Sequence, residues 1–261
     1  MSETTTVSVE RRGHVLLIGI NRPEAQNRID PGTFLGLGKA YFAFEQDEGL
    51  RVAVLFGHGP HFSCGLDATA FAPLMLSGRF SLDAPGTINP LQTSRPRLTK
   101  PLIAVAHGNT FYMGHELFLA ADVRVAAANA VFSQGEAAFA LYAGGGGTVR
   151  FVREAGWAKA MRYMLTADSW NVEESQQMSL VSDVASTPET ALQRALELAN
   201  KIAAVPSRSA RATLASAHEA VDDGEEKAFA ATVPRFIDLL RSEDFQERVR
   251  ATREGRPPAY R

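Results

Sequence analysis

Hydrophobic positions change their spacing along the chain, and each change marks an element. His14 to Ile20 is almost continuously apolar, the pattern of a strand buried on both faces, and Thr6 to Glu10 predicts a shorter strand before it. Asn21-Arg22-Pro23 ends the pair, because proline brings no N–H to a ladder. A helix follows from Pro31 to Gln46, with Asp30 as its cap and Pro31 at its first position. Arg51 to Phe56 is a second buried strand, and Gly57 to Gly65 is a glycine-punctuated turn. Residues 68–100 carry prolines at 73, 85, 90 and 96 and predict an irregular functional loop.

The alternation then resumes. Pro101 to Ala106 predicts a third strand, Leu117 to Ala121 a short buried helix, and Asp122 to Ala126 a fourth strand. After Gly147 the spacing turns helical. Thr187-Pro188-Glu189 starts a helix in which Leu192, Ala195, Leu196, Ala199, Ile202 and Ala203 share a face, and Pro206 stops it. Ser207 to Glu254 reads as helices only. The expected organisation is an α/β core over 1–200 and a helical region over 201–261.

Composition narrows the function classes. A 45% hydrophobic content over 261 residues is ample for a buried core, and 21% charged residues is too few for a disordered chain. Net charge is -2, and the arginines at 11, 12 and 248–256 are interleaved with glutamate, so no nucleic-acid face is expected. One cysteine, Cys64, excludes an intramolecular disulfide and fits a reducing compartment. Met1 to Arg12 lacks the apolar core of a secretory signal, and no run approaches the about 20 apolar residues of a membrane span. A cytoplasmic protein without membrane partners is expected.

Three segments carry candidate chemistry. Gly57-His58-Gly59-Pro60-His61-Phe62-Ser63-Cys64-Gly65-Leu66-Asp67 follows a buried strand, and its glycines let main chain approach a ligand. Lys100 to Gly108 runs on to Met113-Gly114-His115-Glu116-Leu117, where a helix start offers free N–H groups to developing negative charge. Phe132-Ser133-Gln134-Gly135-Glu136 is the third. In isolation Glu116 reads as a helix-start carboxylate stabilised by the helix dipole, and Glu136 as an ordinary surface glutamate. His115 lies in no HExxH and has no second spaced ligand, so no metal is expected. His115, His58, His61 and His107 read as structural, and Cys64 as a small buried residue. Gly144 to Gly147 lacks the lysine of a phosphate-binding loop and reads as a tight turn into a helix.

Taken in order, these segments resemble the enoyl-CoA hydratase/isomerase (crotonase) family. Asn21 to Asn27 is similar to its NRPxAxN opening, Phe62 to Asp67 to its F-S-x-G-x-D turn, and Lys100 to Gly108 to its K-P-x-I-A-x-x-x-G strand. Phe132 to Glu136 and Gly144 to Thr148 are similar to F-x-x-x-E and G-x-x-G-T. The likeness runs from about residue 7 to 200. It implies a crotonase (ClpP-like) spiral of ββα repeats with a helical C-terminal region that serves oligomerisation, as a trimer or dimer of trimers.

The resemblance also implies roles. The N–H groups of Leu66 and Met113 would form an oxyanion hole, and Glu116 and Glu136 would be the acid/base pair. CoA contacts are implied at Arg22, Ala25, Arg28, Cys64, Asp67 and Ala68, and an acyl pocket at Tyr112, Tyr142 and Gly144. CoA would arrive as part of the substrate, with no separate cofactor. Isomerases of the family keep only the second glutamate, so two favour hydration of a 2-enoyl-CoA. Isomerisation, thioester hydrolysis, decarboxylation, and a catalytically weak acyl-CoA-binding scaffold are the alternatives. The family commonly has three glycines at Tyr112-Met113-Gly114. A positive φ at Met113 would be strained; otherwise its side chain narrows the acyl pocket.

Overall fold

The computed structural model describes residues 5–260. Two opening strands, β1 (Val7–Arg12) and β2 (Val15–Ile20), pair antiparallel and lead through a 3-10 turn at Pro23–Ala25 into helix α1 (Pro31–Gln46). The Asp30 side chain accepts from Thr33 N–H at 2.7 Å, the expected cap. Next come β3 (Val52–Gly57), α2 (Ala68–Leu76), β4 (Leu102–Ala106), β5 (Asn109–Phe111) and α3 (Met113–Leu119). A third round supplies β6 (Val123–Ala127), β7 (Val131–Ser133), a 3-10 turn at Glu136–Phe139, α4 (Gly147–Ala155) and α5 (Trp157–Thr166). Then follow β8 (Ser169–Asn171), α6 (Val172–Gln177), β9 (Asp183–Ala185) and α7 (Pro188–Ala203). Beyond it lie α8 (Ser207–Asp223), α9 (Glu225–Ala230), α10 (Thr232–Leu240) and α11 (Glu243–Glu254).

A large sheet runs β1-β2-β3-β4-β6-β9, parallel except at β1, and a small sheet runs β5-β7-β8. Strands pointing alternate side chains to opposite faces need two cores. On one face Leu16, Ile18, Ala53, Leu55, Leu102 and Ala104 pack with α1 and α3 residues such as Phe34, Leu37 and Leu117. On the other, Val15, Leu17, Val52, Val54, Ile103 and Val105 meet Ala191, Ala195, Ala199 and Ala203 of α7. The alanine stripe lets α7 lie close against that face. Lys100, buried before β4, donates to the carbonyls of Phe44 (2.8 Å) and Asp47 (2.8 Å) and so satisfies the end of α1.

Three expectations change. Residues 68–76 form helix α2, although Pro73 lies inside it, because Asp67 caps its first turn by accepting from Ala70 N–H. Helix α3 begins at Met113, four residues before the expected Leu117. The three-residue strands β5, β7, β8 and β9 are too short to leave a period in the sequence, and tertiary pairing makes them. Among the described residues, no helix is long and apolar enough to cross a membrane.

Candidate active site

Backbone register brings the motif segments together. After β3 the chain extends through Ser63, which bridges to Thr110 in β5; Thr110 pairs with Phe132 in β7, and Phe132 with Trp170 in β8. Ser63, Thr110 and Phe132 therefore lie in one row. Three residues past Ser63 comes Leu66, and three past Thr110 comes Met113; four past Phe132 comes Glu136. Each extended piece is followed by a helical turn, so equivalent ends of successive units collect at one edge.

Glycines allow the approach. A Cβ on Gly65, whose φ is +90°, would sit 2.9 Å from Tyr112 Cβ, and one on Gly114 would sit 2.5 Å from Ser63 O. The N–H groups flanking Leu66 are engaged: Ile29 N–H donates to Gly65 O (2.8 Å), and Asp67 N–H to Ile29 O (2.8 Å). Among the described residues neither Leu66 N–H nor Met113 N–H, at the first position of α3, has a hydrogen-bond partner. The backbone strain considered for Met113 falls instead on Tyr112, at φ 55° and ψ -122°. That region favours glycine strongly, and a side chain there costs about 1–3 kcal/mol.

The two carboxyl groups are placed by different devices. Glu116, in the first turn of α3 and 3% exposed, accepts from Gly147 N–H at 2.9 Å. Burial pushes its pKa up to about 7; the N–H of Gly147 opposes this, nearby Glu136 adds to it, and Gly145 N–H and Arg150 oppose it. Gly145 and Gly147 close over this carboxyl, since a Cβ on Gly145 would meet Glu116 Oε2 and one on Gly147 would lie 3.1 Å from Oε1. Glu136 is also pushed up, by burial first, against its own N–H and the Gln134 amide. Gln134 Nε2 donates to Glu136 Oε1 at 2.7 Å, while Oε2 is buried without a partner. Glu116, with a pKa near 7, can gain or lose a proton at neutral pH, as acid/base chemistry requires.

The residues implied for CoA gather on the loop before α1 and the turn before α2. Arg22 donates to Arg28 O (2.6 Å) and faces Asp30 (3.3 Å) and Asp67 (3.9 Å). Arg28 and Ala68 are exposed, and Ala25 is half-buried. Cys64 is buried, which pushes its thiol up; an Asn109 hydrogen bond and the Arg28 charge oppose this. Tyr112 stacks edge-on against Phe139, at 5.5 Å. Tyr142 is 74% exposed and lies with Gly144 and Gly146 on the wall of a cavity of about 720 Å³. That cavity is lined neither by Glu116 nor by Glu136. Gly144 and Gly146 face it, while Gly145 and Gly147 face Glu116. The acidic pair and the N–H groups without partners therefore lie apart from this cavity's lining.

Two supporting residues were not singled out by sequence. Asn27 is fully buried; its Nδ2 donates to the carbonyls of His58 (2.8 Å) and His61 (2.7 Å), and its Oδ1 accepts from Arg22 N–H (2.8 Å). It ties the loop before α1 to the turn before α2. Gln134 touches both His115 and Glu136. Its place two residues before Glu136, inside the F-x-x-x-E segment, was the available signal for it.

The spiral of ββα units with a helical C-terminal region is the crotonase fold. The structure superposes on a probable enoyl-CoA hydratase/isomerase from Mycobacterium abscessus with a TM-score of 0.94, at 38% identity over 98% of both chains. The model of the enoyl-CoA hydratase/isomerase family matches residues 10–261. Enoyl-CoA hydratase EchA19 of Mycobacterium tuberculosis is 34% identical, covering 97% of this chain and 95% of its own. The 2,3-dehydroadipyl-CoA hydratase of Escherichia coli is 32% identical, covering 97% of each. The chain belongs to the enoyl-CoA hydratase/isomerase family.

Two outcomes follow from this geometry. Tyr112→Gly is expected to be more stable than Tyr112→Ala by about 1–3 kcal/mol in urea unfolding, since both lose the ring and only glycine relieves the backbone. Glu116 keeps its proton to about pH 7 when folded, against 4.5 for an ordinary glutamate. Its contribution to stability is therefore whole below 4.5 and is lost as pH rises through 7, by about 3 kcal/mol. Stability measured at pH 5 and pH 8 should differ less in Glu116→Gln than in the wild type.

Proposed function

We propose that the protein is an enoyl-CoA hydratase that adds water to a 2-enoyl-CoA and gives the 3-hydroxyacyl-CoA. The observation carrying this reading is a pair of neighbouring carboxyl groups, both with raised pKa values, on segments that strand register aligns with two N–H groups without partners. The thioester oxygen would accept from Leu66 and Met113 N–H, each donor worth about 3 kcal/mol as charge develops. Water attacks C3, and the electrons of the double bond move to the thioester oxygen as an enolate. One glutamate takes the water's proton; C2 is protonated from the other as the enolate collapses. The Arg22–Arg28 loop and the turn at Cys64 to Ala68 would receive the CoA portion, and Tyr112 would border the acyl chain. Family relatives named as hydratases support hydration over the other reactions of this fold.

Crotonyl-CoA and longer enoyl-CoAs are the test substrates. Glu116→Gln and Glu136→Gln should each lower turnover by at least about 100-fold. Undiminished activity in both would end the assignment. Wild-type kcat/KM should bend near pH 7, and that bend should vanish in Glu116→Gln.

The same reading takes the protein as a homo-oligomer, a trimer or dimer of trimers. Phe229, Val233, Phe236 and Ile237 leave apolar surface uncovered on α9 and α10, Phe236 being 61% exposed. Light scattering should report a mass of three or six chains, and a monomer would exclude the assembly.

A further inference from the structure

The buried histidine beside Glu116 has no part in the chemistry above, yet its surroundings are specific. His115 is fully buried among Phe118, Phe132, Phe151 and Trp170, with ring centroids 5.2–6.5 Å away. Its Nδ1 lies 2.5 Å from Gln134 Oε1, and its Nε2 is buried without a partner. The other end of the same amide, Gln134 Nε2, reaches Glu136 Oε1 at 2.7 Å and Tyr112 O at 3.3 Å.

Hydrogen-bond accounting then fixes every group. A backbone carbonyl only accepts, so the amide end facing Tyr112 O must be the NH2. The amide oxygen therefore faces His115, and His115 must donate from Nδ1. Nε2 then carries no proton, which suits its apolar cage. Burial pushes the His115 pKa down to about 3, keeping the ring neutral.

Tyr112 O belongs to the peptide whose N–H is that of Met113. In a trans peptide the C=O and N–H point in opposite directions. Tyr112 O is held by Gln134 and by Glu116 N–H at 2.9 Å. Holding that carbonyl directs Met113 N–H to the other side, and it opposes relaxation of the strained Tyr112 backbone.

We propose that His115 and Gln134 are a pair of positioning residues: His115 anchors the oxygen end of the Gln134 amide, so that its NH2 end stays in place to hold both the Tyr112–Met113 peptide and the Glu136 carboxylate. Only the kinetic readout of this proposal rests on the hydratase reading. A flipped amide would present oxygen to Tyr112 O and to Glu136, and Glu136 would tolerate that only when protonated.

Charged groups around Glu136 do not otherwise account for its placement. From α3 come Glu116 and the neutral His115. From α5, which packs on the Glu136 turn, the ionisable residues are Lys159, Arg162 and Tyr163. They are engaged with Gln177 O, Asp168 and Glu174 respectively.

The test compares His115→Asn with His115→Leu, two side chains of nearly one shape. Asn places an N–H where Nδ1 stood; Leu does not. Glu136 is titrated by NMR in protein labelled with 13C at glutamate carboxyls, its signal assigned by its loss in Glu136→Gln. The Gln134 N–H favours ionised Glu136, so losing it moves the midpoint to higher pH. In His115→Leu the midpoint should rise by about one unit. On a hydrated enoyl-CoA, kcat should fall about tenfold with KM unchanged. His115→Asn should keep the wild-type midpoint and kcat.

Gln134→Met, which keeps the length and loses the amide, should raise the midpoint as His115→Leu does, and decides the matter should His115→Leu not fold. An unmoved midpoint in His115→Leu or Gln134→Met, or equal effects of Leu and Asn, would overturn the proposal. A wild type without turnover on any enoyl-CoA would overturn the hydratase reading alone, because the NMR midpoint is read without substrate.

Discussion

Pairing of Ser63, Thr110 and Phe132 in a single backbone row is the constraint from which the site descends. Sequence separations of 47 and 22 residues vanish across two strand spacings. Since each paired piece is followed by a helical turn, the same topological position recurs three times at one edge. Two of those positions present N–H groups without partners, that of Leu66 before α2 and that of Met113 at the start of α3, and the third presents a carboxylate. The small sheet thus acts as an alignment device, while the large sheet and its two cores keep it rigid.

Burial is the second decisive term. A carboxylate withdrawn from water loses solvation, and one N–H from Gly147 and one from Gln134 replace it only in part. Both glutamates are therefore easier to protonate than in water, and the Glu136 charge adds to the reluctance of Glu116 to ionise. Glycine is needed at 145 because a side chain would occupy the volume of the Glu116 carboxyl, and at 147 because one would collide with Ala143 and Gln134 and crowd that carboxyl. The tight glycine turn serves the acid, not a phosphate.

Close approach carries a cost at Tyr112, where a non-glycine residue adopts a backbone region that glycine prefers. Its neighbours over-determine that conformation. Tyr112 N–H donates to Ser133 O at 2.9 Å, and its carbonyl accepts from Glu116 N–H and Gln134. The edge-on contacts with Phe111 and Phe139 add apolar support. Strain and clamp lie at the same peptide, the one whose N–H faces the candidate oxyanion position.

Local chemistry alone determined the long buried strands, the capped helix α1, the alanine-faced α7, and the order of motifs that marks the family. Continuous apolar runs, Asp30-Pro31 and Thr187-Pro188 act over a few residues, so they can be read without a fold. Glu116, Glu136, Leu66 and Met113 were legible as candidates only through their motifs. Tertiary structure decided the rest: the three-residue strands, helix α2 around Pro73, the transfer of strain from Met113 to Tyr112, and the linkage of His115 through Gln134 to Glu136. These depend on which segments lie side by side and on how much water each group loses. Both are properties of contacts between distant residues, and no local pattern encodes them.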